Sequence, residues 1–121
     1  MADQLTEQII AAAIEVHKIL GPGLLESIYE EAFCHELNLC GILFERQKDV
    51  DVIYKGVKIK GQRLDLLVQQ EVIVEIKSVK AMDDVFVAQV LSYLRCTGLK
   101  RALLLNFGAA RLVDGIKRFS L

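Results

Sequence analysis

The sequence is poor in proline, tryptophan and cysteine, and it contains no long apolar run. Its 121 residues include one proline, no tryptophan and three cysteines. Cys34, Cys40 and Cys96 are odd in number and form no C-x-x-C pair, which argues against a disulfide framework and a zinc knuckle. We therefore predict buried or half-buried thiols. No apolar stretch approaches the roughly 20 residues that cross a bilayer, and the N-terminus lacks signal-peptide features, so we expect a cytoplasmic protein without membrane contact.

What the sequence does have is enough apolar material for one core. The apolar fraction is 53%, which is typical of a globular protein and excludes a disordered one. A chain of 121 residues is within the usual size of one domain. We find no repeat and no linker, and predict a single domain over residues 1–121.

The formal net charge of -1 conceals a polarity along the chain. Residues 1–36 carry seven acids and one lysine, whereas residues 95–121 carry six basic residues and one acid. A basic segment of that kind could contact phosphates if it gathers on one surface. A solvated face is the simpler interpretation.

Helical periodicity marks three segments. Apolar residues over 5–20 recur at helical spacing after a possible cap at Thr6, and the pattern stops at Gly21-Pro22-Gly23. A second helix follows and ends near Gly41. A third begins at Asp83 or Asp84 and ends before Gly98.

Between and after these helices the pattern becomes extended. Strand-like runs cover 43–54, 57–68 and 72–79, as an antiparallel meander. A buried strand over 101–107 follows the third helix, so 72–107 reads as a strand-helix-strand crossover with parallel strands. A last extended segment covers 111–119. These elements predict an α/β (α+β) protein with a mixed sheet.

Three charged side chains interrupt the apolar hairpin of 63–77. Glu75 and Lys77 project from the same side of their strand, because side chains alternate between faces. If residues 69–71 form the loop, Val68 pairs with Val72 and Asp65 lies opposite Glu75. Two carboxylates so placed would repel, and a divalent cation such as Mg²⁺ or Mn²⁺ would offset that repulsion. Lys77 would then orient or deprotonate an attacking water, or stabilise the phosphate.

Three further side chains are candidates for the same site. Glu26 lies next to the apolar stripe of the second helix and could point inward. Gln89 and Tyr93 are i, i+4 neighbours on the predicted core side of the third helix, where they could hold a water or a phosphate. Each has a simpler interpretation: Glu26 as a favourable first-turn carboxylate, Gln89 and Tyr93 as core-edge residues. Asp65 could likewise be paired to Arg63 or Lys77 without a metal.

The hairpin residues fit a known pattern. Asp65 followed by Glu75-Ile-Lys77 resembles the core of the PD-(D/E)XK nuclease superfamily, and Gly23-Leu-Leu-Glu26-Ser-Ile-Tyr29 is similar to the motif of the prokaryotic GxxExxY proteins. The resemblance covers nearly the whole chain. It departs in one place, because Leu64 stands where the superfamily name has proline.

The resemblance implies a restriction-endonuclease-like αβββαβ core, with a mixed central sheet flanked by helices. It assigns metal binding to Glu26, Asp65 and Glu75, with the carbonyl of Ile76 as a further ligand, and the catalytic ammonium to Lys77. Gln89-Val-Leu-Ser-Tyr93 is similar to a Q-x-x-x-Y element whose side chains face the substrate.

We therefore expect a Mg²⁺- or Mn²⁺-dependent phosphodiesterase acting on DNA, with RNA as the second substrate class. The alternative is a catalytically silent nuclease-fold module that binds nucleic acid or protein. A homodimer is a third expectation, because small enzymes often pair.

Overall fold

A computed structural model describes residues 3–121. Met1 and Ala2, which belong to the N-terminus where signal-peptide features were sought, lie outside the described residues. None of the helices described is long and apolar enough to cross a bilayer. In chain order the elements are α1 (Gln4–Leu20), α2 (Glu26–Leu39), β1 (Phe44–Tyr54), β2 (Val57–Val68), β3 (Val72–Lys77), α3 (Asp84–Thr97), β4 (Arg101–Asn106), a 3₁₀ helix (Leu112–Gly115) and β5 (Ile116–Ser120).

The five strands form one mixed sheet in the order β1-β2-β3-β4-β5. The pairs β1/β2, β2/β3 and β4/β5 are antiparallel, and β3/β4 is parallel. The predicted meander, the parallel crossover and the αβββαβ order are therefore confirmed. The hairpin register is also as predicted, because Val68 pairs with Val72.

Each face of the sheet carries a separate apolar cluster. The cluster that includes α1 and α2 contains the even-numbered residues Val72, Val74 and Ile76 of β3. The cluster under α3 contains Ile73 of β3 together with Val90. Because β3 is covered on both faces, four of its six residues are apolar. A charged residue in this strand, such as Glu75, is therefore buried unless it lies at an end.

The first helix begins earlier than its apolar pattern suggests. Asp3 is the cap, and its carboxylate accepts hydrogen bonds from the Thr6 backbone N–H at 2.7 Å and from the Thr6 hydroxyl at 2.8 Å. The prediction of Thr6 as the cap is wrong, because Asp3 satisfies the first free N–H groups one turn upstream.

The Gly-Pro-Gly turn between α1 and α2 is held by a tyrosine. The Tyr29 hydroxyl donates to the Gly21 carbonyl at 2.5 Å and accepts from the Leu24 N–H at 3.0 Å. Its ring stacks on Phe107 with the centroids 4.7 Å apart. The Leu24 carbonyl in turn accepts a hydrogen bond from the Ser78 hydroxyl at 2.6 Å. The start of α2 is therefore fixed beside the residue that follows β3.

Other sequence predictions need correction. Cys34 is buried, as predicted, but Cys40 and Cys96 are exposed. Cys40 follows the end of α2, and Cys96 lies on the solvent side of α3. Residues 111–119 are not one extended segment, since the 3₁₀ helix precedes β5.

The third strand ends at Lys77 rather than at Val79. Phe107 N–H donates to the Lys77 carbonyl at 2.8 Å. Beyond that bond, the Asn106 side chain makes the hydrogen bonds to the chain that follows β3. Its amide oxygen accepts from Val79 N–H at 3.0 Å and its amide nitrogen donates to the Val79 carbonyl at 3.0 Å. This clamp leaves Gly108 directly against Val79, where a Cβ would be 2.4 Å from the Val79 carbonyl oxygen.

Gly108→Ala is therefore expected to destabilise the protein by about 3 kcal/mol, since the contacted atom is backbone that cannot rotate away. Gly41→Ala is the control: Gly41 has a positive φ of 72° but open space around it, so the cost should be about 1 kcal/mol. Urea unfolding of both variants measures the difference. Equal costs would contradict the clamp.

Candidate active site

The β2–β3 hairpin opens where its charged residues lie. The backbone ladder runs from Val68↔Val72 to Leu66↔Val74 and goes no further. The next pair in that register is Asp65 and Glu75. Instead of a strand-to-strand bond, Asp65 Oδ2 accepts from the Ile76 backbone N–H at 2.9 Å. A side chain has thus replaced the backbone of β2 as the partner of β3, and the two strands part at this point.

An irregularity across β1 and β2 accompanies this opening. Leu64 packs in the cluster under α3, whereas Leu66 packs in the cluster with α1 and α2. Residues two apart in a regular strand share a face, so the chain changes face around Asp65. On the neighbouring strand Gln47, which the register places opposite Asp65, has a positive φ of 50°. Both strands therefore deviate at the same level of the sheet.

The carboxyl groups of Asp65 and Glu75 are in contact, and the second is almost completely buried. Glu75 is 3% exposed. Burial raises the pKa of Glu75 to about 10; the hydrogen bond with Asp65 and the charge of Asp65 add to this, while Lys77 lowers it. Without a metal ion, burial therefore favours the protonated form of Glu75 at neutral pH. The predicted juxtaposition of the two acids is present in the structure.

Lys77 lies on the same side as Glu75, at the end of β3. Its ammonium is 4.5 Å from the centroid of the Phe86 ring on α3. Such a cation–π contact fixes the ammonium without neutralising it. Lys77 also lines an open cleft between β2 and α3. The other residues that line this cleft are Gln62, Val85, Phe86, Ala88, Gln89 and Ser92.

Gln89 and Tyr93 have different environments, although the helical spacing suggested one. Tyr93 is 3% exposed, and its hydroxyl donates to the Arg63 carbonyl at 3.1 Å. Burial, followed by the charges of Glu75 and Asp65, raises the pKa of Tyr93 to about 12. Its hydroxyl therefore stays neutral close to the acids. Gln89 is exposed and faces the cleft, so the expectation of a core-facing Gln89 is wrong. On α3, the Gln89 side chain therefore lies outside the apolar core.

Glu26 is placed near this region but is not gathered with the other acids. It is the first residue of α2 and is exposed. The bond between Leu24 and Ser78 brings the start of α2 to the end of β3. Among residues 3–121, however, no three acidic, histidine or cysteine side chains meet closely enough to hold one metal ion. The structure thus shows a pair of carboxyl groups with Glu26 apart from it.

Two of the six basic residues of the C-terminal segment, Arg101 and Arg118, pair with acids of the N-terminal segment. Arg101 pairs with Asp3 at 2.6 Å and with Glu71 at 3.3 Å. Arg118 pairs with Glu7 at 3.0 Å. The acids of the N-terminal segment therefore neutralise part of the positive charge, and contact of this segment with phosphates stays a prediction.

Sequence reasoning missed two residues of the site and the clamp that supports it. Phe86 supports Lys77 and has no sequence signal beyond a helical apolar position. Gln62 lines the cleft, and its Oε1 is buried without a hydrogen-bond partner in the described chain. Asn106, a buried amide at the end of an apolar strand, holds the segment after Lys77. For Asn106, the sequence offered one signal, a polar residue at the end of an apolar strand.

Glu75→Gln is expected to remove a pH dependence of stability. In wild type the pKa of Glu75 is higher when folded than when unfolded, so its contribution is fully present below about pH 4.5 and is lost as pH rises toward 10. Between pH 5 and 8 the free energy of unfolding of the wild type should fall relative to that of the variant, by up to about 1 kcal/mol per pH unit. Urea unfolding without divalent ions measures this difference.

The control is Glu26→Gln, which removes an exposed carboxylate and so separates the effect of burial from the loss of one charge. A wild-type minus Glu75→Gln stability difference that does not change with pH would contradict the buried, protonated state.

The comparisons with known proteins agree with this geometry. A family model described as the PD-(D/E)XK nuclease superfamily matches residues 3–119. No curated protein and no solved structure matches the sequence significantly. Because the matched segment covers nearly the whole chain and its fold is the expected mixed five-stranded sheet with three helices, the chain belongs to the PD-(D/E)XK nuclease superfamily.

Proposed function

We propose that the protein is a Mg²⁺- or Mn²⁺-dependent nuclease that hydrolyses phosphodiester bonds of DNA, with RNA as the second substrate class. The observation that carries this proposal is the contact between the carboxyl groups of Asp65 and Glu75 in a half-open hairpin. Such a pair is costly to bury with two negative charges. In a protein of this superfamily, a cation is the partner that would make it favourable.

The donor atoms at the hairpin fit a hard divalent ion. Carboxylate and carbonyl oxygens are the ligands that Mg²⁺ and Mn²⁺ prefer. Asp65 and Glu75 would hold the ion, with the carbonyl of Ile76 as a third oxygen. Glu26 is proposed as an additional carboxylate, supported by the GxxExxY-like motif and by the position of α2 beside Ser78. When bound, such an ion polarises a water molecule and a phosphate oxygen.

The remaining side chains would bind and orient the phosphodiester. The Lys77 ammonium, held over Phe86, presents a positive charge where negative charge develops on the phosphate. Its charge also favours the ionised form of Glu75. Gln89 offers an amide from the cleft wall for a phosphate or base, and Tyr93 fixes β2 through the Arg63 carbonyl. Lys77 and Gln89 therefore contact substrate in this proposal, whereas Tyr93 positions Asp65.

We further propose that the protein is a member of the GxxExxY family within the superfamily. The support is the Gly23 to Tyr29 motif, in which the Tyr29 hydroxyl closes the Gly-Pro-Gly turn and so places Glu26 at the head of α2. A homodimer is proposed as well, and static light scattering tests it: a particle that stays monomeric at high concentration would contradict it.

Asp65→Asn, Glu75→Gln and Lys77→Met are each expected to reduce cleavage at least about 100-fold. The first two weaken the proposed metal site, and the third removes the positive charge beside the reacting phosphate. The assay is cleavage of plasmid DNA, single-stranded DNA and RNA in Mn²⁺ or Mg²⁺. Asp114→Asn, which removes an exposed acid on the 3₁₀ helix, is the matched control and should cut normally. Cleavage by Glu26→Gln should be intermediate between that of the three site variants and that of the control variant.

Calorimetric titration with Mn²⁺ separates cutting from silent binding. Wild type should bind the ion and Asp65→Ala should not, since only one carboxylate of the pair then remains. Mn²⁺ binding without cleavage of any of the three substrates would favour the catalytically silent nucleic-acid or protein-binding module. Neither binding nor cleavage would refute the proposed function.

A further inference from the structure

The hairpin of β1 and β2 extends well beyond the rest of the sheet. Only Leu66 to Val68 of β2 pair with β3, whereas β2 continues to pair with β1 as far as Val57. Seven steps along β2, from Leu64 to Val57, span roughly 25 Å. The base of this two-stranded arm is covered by α3, because Val50 and Leu64 belong to the cluster under that helix. We call the uncovered part, residues 51–61, the ribbon.

The ribbon exposes apolar side chains that no other element covers. Ile53 is 62% exposed, Tyr54 58% and Val57 60%. Exposed apolar residues that stand singly need no explanation, but a group at the tip of a projecting ribbon is typical of an interaction surface. The turn itself is tight, with positive φ at Lys55 and Gly56.

The charge of the ribbon identifies the kind of partner. It contains three lysines, Lys55, Lys58 and Lys60, against one acid, Asp51. Asp51 is shared, at 3.8 Å from the Lys58 ammonium and 2.8 Å from the Lys60 ammonium. The ribbon is therefore positive in a chain whose net charge is -1. A second copy would bring the same lysines against one another across a symmetric contact, whereas a polyanion complements them.

The ribbon is also continuous with the candidate active site. Gln62 lines the cleft that contains Lys77 and Gln89. The same residue lines a groove at the base of the ribbon, in which Lys60 pairs with Asp51 and Arg63 pairs with Asp49. A nucleic acid with a phosphate beside Lys77 could therefore extend along the ribbon.

We propose that the ribbon is a duplex-DNA-binding arm that enters a groove of the substrate. A two-stranded β-ribbon matches the width of the major groove, which is about 12 Å. Ribbon lysines would contact phosphates on either side of the groove, and the apolar tip would contact sugars and base edges. This inference rests on the proposed function for its substrate class and adds the surface that holds the duplex.

The test measures binding of a fluorescently labelled 30-base-pair duplex in EDTA, where a metal-dependent enzyme cannot cut. The variant is Lys55→Gln/Lys58→Gln/Lys60→Gln, whose three lysines lie on exposed ribbon residues. The matched control removes the same charge elsewhere, as Lys18→Gln/Lys100→Gln/Lys117→Gln. Of these lysines, Lys117 is on β5, at the opposite edge of the sheet from β1.

The ribbon triple variant should lose at least about 10-fold in affinity, and the slope of log K against log salt should fall by about 0.9 for each phosphate that the variant no longer neutralises. The control triple should lose much less. Asp51→Asn should bind more tightly than wild type, because it releases the two lysines that Asp51 pairs with. Asp114→Asn, on the 3₁₀ helix, is the control for that change.

Several results would contradict the proposal that the ribbon is a DNA-binding arm. They are equal losses in the two triple variants, absence of duplex binding by wild type, and binding of single-stranded DNA or RNA in preference to the duplex. A dimer in light scattering that Ile53→Ser/Val57→Ser converts to a monomer would show a self-association surface instead. Duplex binding through the ribbon without any cleavage in Mn²⁺ would uphold the arm and refute the nuclease, so the two failures are distinguishable.

Discussion

The hydrogen bond from the Ile76 backbone N–H to the Asp65 carboxylate is the interaction on which the site depends. In an ordinary hairpin that N–H would pair with a carbonyl of β2, and the two strands would stay together. Here a side chain takes the place of the carbonyl, at 2.9 Å, and the strands separate beside Glu75. The separation creates a space in which two carboxyl groups meet. Because the Asp65 carboxylate accepts from the Ile76 N–H, the opening does not leave that backbone group unpaired.

The rest of the molecule supports this opening from three directions. The Asn106 side chain fixes Val79 and so holds the segment that follows Lys77. On the α3 side, Phe86 lies under the Lys77 ammonium and the Tyr93 hydroxyl holds β2 at Arg63. On the other side, the Tyr29 hydroxyl shapes the turn that leads into α2. These contacts connect the segments around the charged end of the hairpin to the rest of the fold.

Much of this arrangement could be predicted from the alternation of apolar and charged residues and from the loop residues that separate the strands. Charges at Asp65, Glu75 and Lys77 stand out because residues 64–68 and 72–77 are otherwise apolar, and a three-residue loop fixes the register that brings the acids together. Side-chain depth could not be predicted as well. Gln89 and Tyr93 share a helical spacing, yet one is exposed and the other buried, because the edge of the core passes between them. The position of Glu26 depends on the path of the Gly-Pro-Gly turn, which periodicity does not specify. The pairing of Arg101 and Arg118 with Asp3 and Glu7 also required the fold, since β4 and β5 bring the two chain termini together.

The central claim is that the Asp65–Glu75 pair is a cation site held in an opened hairpin. A crystal soaked in Mn²⁺ tests it most directly, because anomalous scattering locates the ion independently of activity. An anomalous peak is expected within coordination distance, about 2.0 to 2.6 Å, of a carboxylate oxygen of each residue. Full electron density for both side chains with no peak between them at saturating Mn²⁺ would contradict it.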